Sequence, residues 1–159
     1  MLLRLLVVFG VVFGQTVVSS QGKPTLVVQV FKTAPDVALP YDLTLLQTQM
    51  VAELKVMLGK EFDIVAAAPS AAGGNVYLLD GDITGWRAGN AAKRFLVGMG
   101  SGREAMDLAF RVSDAKERLF ERKETIRTNF YSQGAGSTGT LAHPIAQKVA
   151  DRIQDARLR

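Results

Sequence analysis

Apolar and polar positions change period several times along the chain, and each change marks an element. Pro24–Thr33 (PTLVVQVFKT) is β-branched and apolar on both faces, the pattern of a strand near the middle of a sheet. Ala34–Tyr41 holds two prolines and reads as a loop. Asp42 is a good N-cap, and Leu43, Leu46, Met50, Leu54 and Leu58 follow at spacings of three and four. That spacing predicts an amphipathic helix over Leu43–Lys60, closed at Gly59. Phe62–Ala67 reads as a short strand and Ala68–Asn75 as a connection. Strand, helix and strand in this order predict a crossover unit with parallel strands.

Val76–Trp86 alternates, with Tyr77, Leu79, Gly81 and Ile83 on one face and Asp80, Asp82, Thr84 and Trp86 on the other. Arg87–Asn90 reads as a turn, and Ala91–Val97 as either strand or helical turn. Gly98, Gly100 and Gly102 follow at every second position and suit a bulged corner. In Glu104–Ser113, Met106, Leu108, Phe110 and Val112 point inward while Asp107 and Arg111 point outward. Asp114–Glu117 is a turn signal, and Arg118–Phe130 fits both periods. After the low-complexity stretch Ser132–Thr140, a last helix begins between Thr140 and Pro144. Leu141, Ile145, Val149 and Ile153 form its apolar stripe. The elements predict an α/β sandwich: a four- or five-stranded mixed sheet with two helices packed on one face.

Met1–Gln21 differs from everything after it. Arg4 precedes an uncharged apolar run from Leu5 to Phe13, and Val18, Ser19 and Ser20 supply small residues for a peptidase. This predicts a secretory signal peptide over residues 1–21, cut near Ser20–Gly22, and one globular domain over 23–159. A spanning helix needs roughly 20 apolar residues, and Gln15, Thr16 and the serines interrupt the run earlier. The mature chain is therefore expected to be periplasmic or secreted, with no transmembrane segment.

Composition narrows the function classes. The chain has 159 residues, 19 of them basic and 15 acidic, for a net charge of +4. Loss of Arg4 leaves 18 basic residues and +3, interspersed with the acidic ones, so nucleic acid is not an expected partner. Cysteine is absent, which excludes disulfides, a thiolate zinc site, a cysteine nucleophile and a lipid anchor on cysteine.

The segment Gly81-Asp82-Ile83-Thr84, Gly89-Asn90, Arg94 and Gly98-Met99-Gly100-Ser101-Gly102 resembles the core of a bacterial family, the domain-of-unknown-function family 4410. Its pattern is G-x-I-T, then G-N, then R-x-x-x-G-x-G-x-G, followed by an alternating strand and a final alanine-rich helix. The resemblance implies an exported envelope protein with a compact α/β domain, and it tips Arg118–Phe130 towards strand. It carries no activity and no catalytic residues. Lipoprotein-type members have a lipidated cysteine that this chain lacks. On this resemblance Gly81, Ile83, Gly89, Asn90, Arg94, Gly98, Gly100 and Gly102 are expected to shape a structural corner, with Arg94 bonded to carbonyls or to Asp80 or Asp82.

Other candidate chemistry is sparse. The glycine triplet lacks the G-x-G-x-x-G spacing of a dinucleotide loop, because position 103 is Arg and a strand follows. Gly134–Thr140 lacks the lysine of a phosphate loop. Asp80 and Asp82 share a strand face about 7 Å apart by the strand rise, inside the roughly 6.5–9.5 Å span of inverting glycosidase carboxylates. His143 stands alone, so no zinc site is expected, and no G-x-S-x-G elbow surrounds a serine. Trp86 beside Arg87 suits either packing or stacking on a ligand. The expectation is a non-enzymatic binding or assembly module that meets other envelope proteins and uses no cofactor or metal. The alternative is a small hydrolase of envelope carbohydrate or phosphoester, with Asp80 and Asp82 as acid and base.

Overall fold

The computed structural model describes residues 22–67, 75–89, 104–127 and 138–158. The β-branched run of the N-terminal segment forms β1 (Thr25–Val28) and then, after a three-residue break, β2 (Lys32–Thr33). Helix α1 (Leu43–Leu58) starts where Asp42 caps it, the carboxylate accepting from the Thr44 and Leu45 N–H groups at 2.8 and 3.2 Å. β3 (Asp63–Val65), β4 (Val76–Arg87), β5 (Ala105–Ser113) and β6 (Arg118–Arg127) complete the sheet. Helix α2 (Thr138–Asp155) closes the chain.

The strand order is β3-β1-β4-β5-β6, with β2 also paired to β4, which makes six strands. β1 runs parallel to β3 and β4, as the strand–helix–strand reading requires, whereas β5 and β6 continue as an antiparallel meander. The mixed sheet with two helices agrees with the expected α/β architecture. The count of four or five strands is corrected to six, because Pro24–Thr33 splits. Val28 pairs with Leu79 and Lys32 with Asp82, so four steps on one strand match three on the other. The extra residue is a bulge that breaks the ladder and turns Phe31 into the core.

One apolar cluster joins the inner sheet face to both helices. Leu46, Met50, Leu54 and Leu58 of α1 meet Leu141, Ile145, Val149 and Ile153 of α2 over Leu26, Leu79, Ile83, Met106 and Phe110 of the sheet. Each such large side chain contributes about 1.5–3 kcal/mol on burial. Arg118–Phe130, legible at either period, is a strand over Arg118–Arg127 because Phe120 and Ile126 reach this cluster from the sheet side. Helix α2 begins earlier than expected. Pro144 lies inside it, two turns in, where its missing N–H leaves one helical bond unmade.

Two polar ties hold the layers together. Gln47 is buried on α1 and its Nε2 donates to the carbonyls of Val28 at 2.6 Å and Ala66 at 3.3 Å, clamping β1 to the segment after β3. Arg152 of α2 donates from Nη2 to Glu124 of β6 at 2.7 Å.

Gly81 shows how tightly the centre is packed. A Cβ there would lie 2.9 Å from the Phe31 ring and 2.9 Å from the Ala109 carbonyl oxygen. At Gly85 the nearest obstacle is the Asp107 carboxylate at 3.0 Å, a side chain on the outer face rather than backbone or a core ring. Gly81→Ala is therefore expected to cost about 1–3 kcal/mol by overpacking, and Gly85→Ala less. Urea denaturation of the two variants checks the order.

Candidate functional site

Asp80 and Asp82 point away from the helices because β4 alternates, with Tyr77, Leu79, Gly81 and Ile83 buried on the inner side. The antiparallel register sets Asp80 opposite Arg111 of β5 and Arg111 opposite Glu121 of β6. Arg111 Nε donates to Asp80 Oδ1 at 2.7 Å, and Nη2 reaches both that oxygen and Asp82 Oδ2, the latter at 2.9 Å. The Asp80 hydrogen bond holds the guanidinium above its already high pKa. One cation thus gathers the two carboxylates that sequence spacing offers as acid and base.

Beside this knot the bulge opens a polar cleft of about 390 Å³, lined by Gln29, Lys32, Asp80, Arg111, Ser113 and Arg118 among others. Further along the same face, Asp107 accepts from Thr125 Oγ1 at 2.6 Å and from Arg87 Nη2 at 3.3 Å. The outer face thus carries charges held in local ion pairs.

Trp86 is placed differently from its sequence assignment. A register shift between Ile83 and Gly85 sets it opposite the buried Met106, on the core side instead of beside Asp80 and Asp82. Its ring meets Tyr41 edge to face at 6.2 Å, and its Nε1–H donates to Glu104 Oε1 at 3.0 Å. The packing alternative for Trp86 is the one observed. Glu104, which sequence inspection passed over, is only 4% exposed, and its Oε2 has no hydrogen-bond partner among the described residues. Burial pushes this carboxyl above the usual glutamate range.

His143 sits inside α2, not at a helix start, and its Nδ1 lies 2.8 Å from Glu53 Oε2 on α1. Ile83 is fully buried, Gly81 backs Phe31, and Gly89 follows the end of β4. Asn90, Arg94, Gly98, Gly100 and Gly102 lie outside the described residues, as do the signal-like segment and Gly134–Ala135–Gly136–Ser137 of the glycine loop. Among the described residues no group of three or more His, Cys, Asp or Glu could hold a metal ion, and no helix is long and apolar enough to cross a membrane. Arg111, the residue that organises the outer face, was legible as outward-facing. Its partners depended on the β4–β5 register, which no residue pattern specifies.

These elements define an α/β domain with a mixed sheet backed by two helices. Residues 32–154 match the family described as a domain of unknown function, DUF4410, and the chain belongs to that family. Among solved structures, protein XCC0632 from Xanthomonas campestris is similar with a TM-score of 0.52 at 12% identity, covering 87% of this chain and 91% of that one. The hypothetical protein CT253 from Chlamydia trachomatis gives 0.52 at 9% identity, over 85% and 98%. A PelC dodecamer from Paraburkholderia phytofirmans gives 0.50 at 14% identity, over 86% and 88%. Identities this low speak for the fold alone. No curated protein matches the sequence.

Two measurements check the site. Asp80→Ala and Arg111→Ala, combined in a double-mutant cycle, are expected to show a coupling of about 0.5–1 kcal/mol, as for a half-exposed ion pair. Additive single effects would deny the contact any energetic role. For Glu104 the sign follows from linkage. A carboxyl whose pKa is raised on folding favours the folded state below the ordinary glutamate value of about 4.3, and that advantage fades as pH rises through the raised value. Glu104→Gln is therefore expected to gain stability relative to the native chain between about pH 4 and pH 7, read by thermal melts across that range.

Proposed function

We propose that this DUF4410 protein is exported to the cell envelope, loses residues 1–21 as a signal peptide, and serves through residues 23–159 as a non-enzymatic assembly module. The observation that carries the non-enzymatic part is the Arg111 knot. An acid–base pair needs its carboxylates open to the substrate, whereas one guanidinium already engages both, at 2.7 Å from Asp80 and 2.9 Å from Asp82. The cleft beside them is open and polar, with Lys32 and Arg118 rather than an apolar floor. The signal-like Met1–Gln21 supports export, and the absence of cysteine speaks against a lipid tether. PelC, a fold neighbour, assembles as a dodecamer, which supports an assembly role for this scaffold.

Of the two surfaces such a module commonly offers, a sheet edge and a helix face, the helix face suits this chain better. β3 is three residues long, and β6 carries Arg118, Glu121, Arg122, Lys123, Glu124 and Arg127, both of which discourage strand addition. The structural-corner role of Gly81, Ile83, Gly89, Asn90, Arg94, Gly98, Gly100 and Gly102 belongs to the same reading.

The test is cross-linking and co-purification of the tagged chain from envelope extracts. The expected result is a shortened chain in the envelope fraction, bound to protein partners or to itself. Recovery of the full-length chain in the cytoplasm would overturn the reading. So would a folded Asp80→Asn, Asp82→Asn variant that loses a measured hydrolysis of envelope carbohydrate or phosphoester.

A further inference from the structure

At one end of the sheet Trp86 touches two buried side chains, and each of these leaves a polar atom without a partner. Glu104 stands one residue ahead of β5, with Oε1 accepting from Trp86 Nε1–H at 3.0 Å and Oε2 unpartnered. Tyr41 sets its ring edge to face on Trp86 at 6.2 Å, and its buried hydroxyl is unpartnered as well. Tyr41 is also the buried member of residues 34–41, the segment that leads from β2 to α1. Pro35, Asp36, Ala38 and Pro40 of that segment are exposed, and Val37 and Leu39 are half-buried. Its ends are fixed, by the Ala34 N–H on the Ile83 carbonyl at 2.9 Å and by the Asp42 cap of α1. Between them the Val37 N–H bonds back to Ala34 at 3.0 Å. Side-chain packing, with Tyr41 its deepest member, therefore holds the segment to the domain.

Charged groups on the neighbouring elements are turned away from Glu104 or already engaged. Strand alternation sets Glu104 on the core side with Met106, whereas Arg87 of β4 and Arg127 of β6 pair with Ala105 on the outer side. Arg87 donates to Asp107 there. From the helix layer, Asp42 caps α1, Glu53 holds His143, and Lys55 is exposed. With no charged partner among the described residues, burial raises the pKa of Glu104.

We infer that Glu104, Trp86 and Tyr41 form a proton-operated latch on residues 34–41. With Glu104 neutral the segment is closed over the sheet end, and loss of the proton lets Tyr41 lift from Trp86. Two effects compete at this carboxyl. The indole N–H favours its charged form and burial favours its neutral form, and burial prevails. A carboxylate confined there has one hydrogen bond for two oxygens, whereas opening gives it water. Opening also returns water to the Tyr41 hydroxyl, whose unmade bond weakens the closed state whatever the charge on Glu104. Closure is thus finely held, and the proton decides it. A carboxyl whose pKa is raised in the closed state supports closure below about 4.3, the ordinary glutamate value, and withdraws that support as pH rises through the raised value. The latch needs no partner, so it stands or falls apart from the assembly role proposed above.

Trp86 is the chain's only tryptophan, so its emission reports this contact alone. The purified full chain is titrated from about pH 4 to about pH 8, with acrylamide quenching of Trp86 and far-UV circular dichroism read at each step. Quenching is expected to rise roughly twofold or more along a one-proton curve while the dichroism holds constant, as in a local opening. Glu104→Gln should show the low-pH quenching throughout. Tyr41→Phe, which removes the unpartnered hydroxyl and keeps the ring, should move the midpoint to higher pH. If Glu104→Gln fails to fold, the Tyr41→Phe shift decides alone. Quenching that stays flat with pH, a rise that persists in Glu104→Gln, or an unmoved Tyr41→Phe midpoint would each overturn the latch. So would a rise accompanied by loss of dichroism, which reports global unfolding.

Discussion

The ring of Phe31 rests where a side chain on Gly81 would be, and that contact requires β1 to leave β4 before β2 rejoins it. Four residues must span what three span on β4, from Val28 to Lys32 against Leu79 to Asp82. The added residue lets Phe31 face inward while Val30 faces solvent. On the other side of β4 the Ala109 carbonyl closes in to the same limit, so the strand is gripped from both neighbours at one bare position. The core and the cleft on the outer face are two results of a single bulge. A residue with a Cβ at position 81 would push on both neighbours at once.

The helices were the most legible part of the chain. Their apolar residues repeat at three and four, and periodicity of that kind follows from the helix itself, whatever it packs against. β4 and β5 were legible as alternating strands for the same reason. Bulges were not. Trp86 falls on the polar face if β4 alternates without interruption, and one irregularity after Ile83 carries it to the core beside Tyr41. The split between β1 and β2 was hidden likewise, since PTLVVQVFKT is β-branched throughout and a parallel ladder leaves no period to break. Arg118–Phe130 could not be decided from its own residues, because Phe120 and Ile126 acquire a side only when β5 pairs beside them.

The candidate site illustrates a different limit. Asp80 and Asp82 were visible as a pair on one strand face, and their spacing matched a catalytic geometry. Spacing within a strand says nothing about what stands opposite it. Register supplies Arg111, and with Arg111 in place the pair becomes an ion-paired patch on a sheet surface. Glu104 was missed for a related reason. It precedes a strand, and its hydrogen bond from Trp86 depends on the irregularity that carries that ring inward. Both cases turn on neighbours brought in by pairing.

The distribution of charge over the surface follows from these placements. Arg111 and Asp107 tie up their neighbours on the outer face, and Arg152 binds Glu124 where α2 meets β6. β6, which ends the strand order, keeps a dense row of mixed charges. Such a row holds off strand addition by other chains, since any incoming strand would have to desolvate it. Helix α1 is the exception, with two charged side chains in sixteen residues. An uncharged outer face gives up the solubility that the other surfaces provide, and Val56 remains 86% exposed. An apolar side chain left in water is unremarkable alone, but Leu45 and Val56 flank small residues on a single helix face.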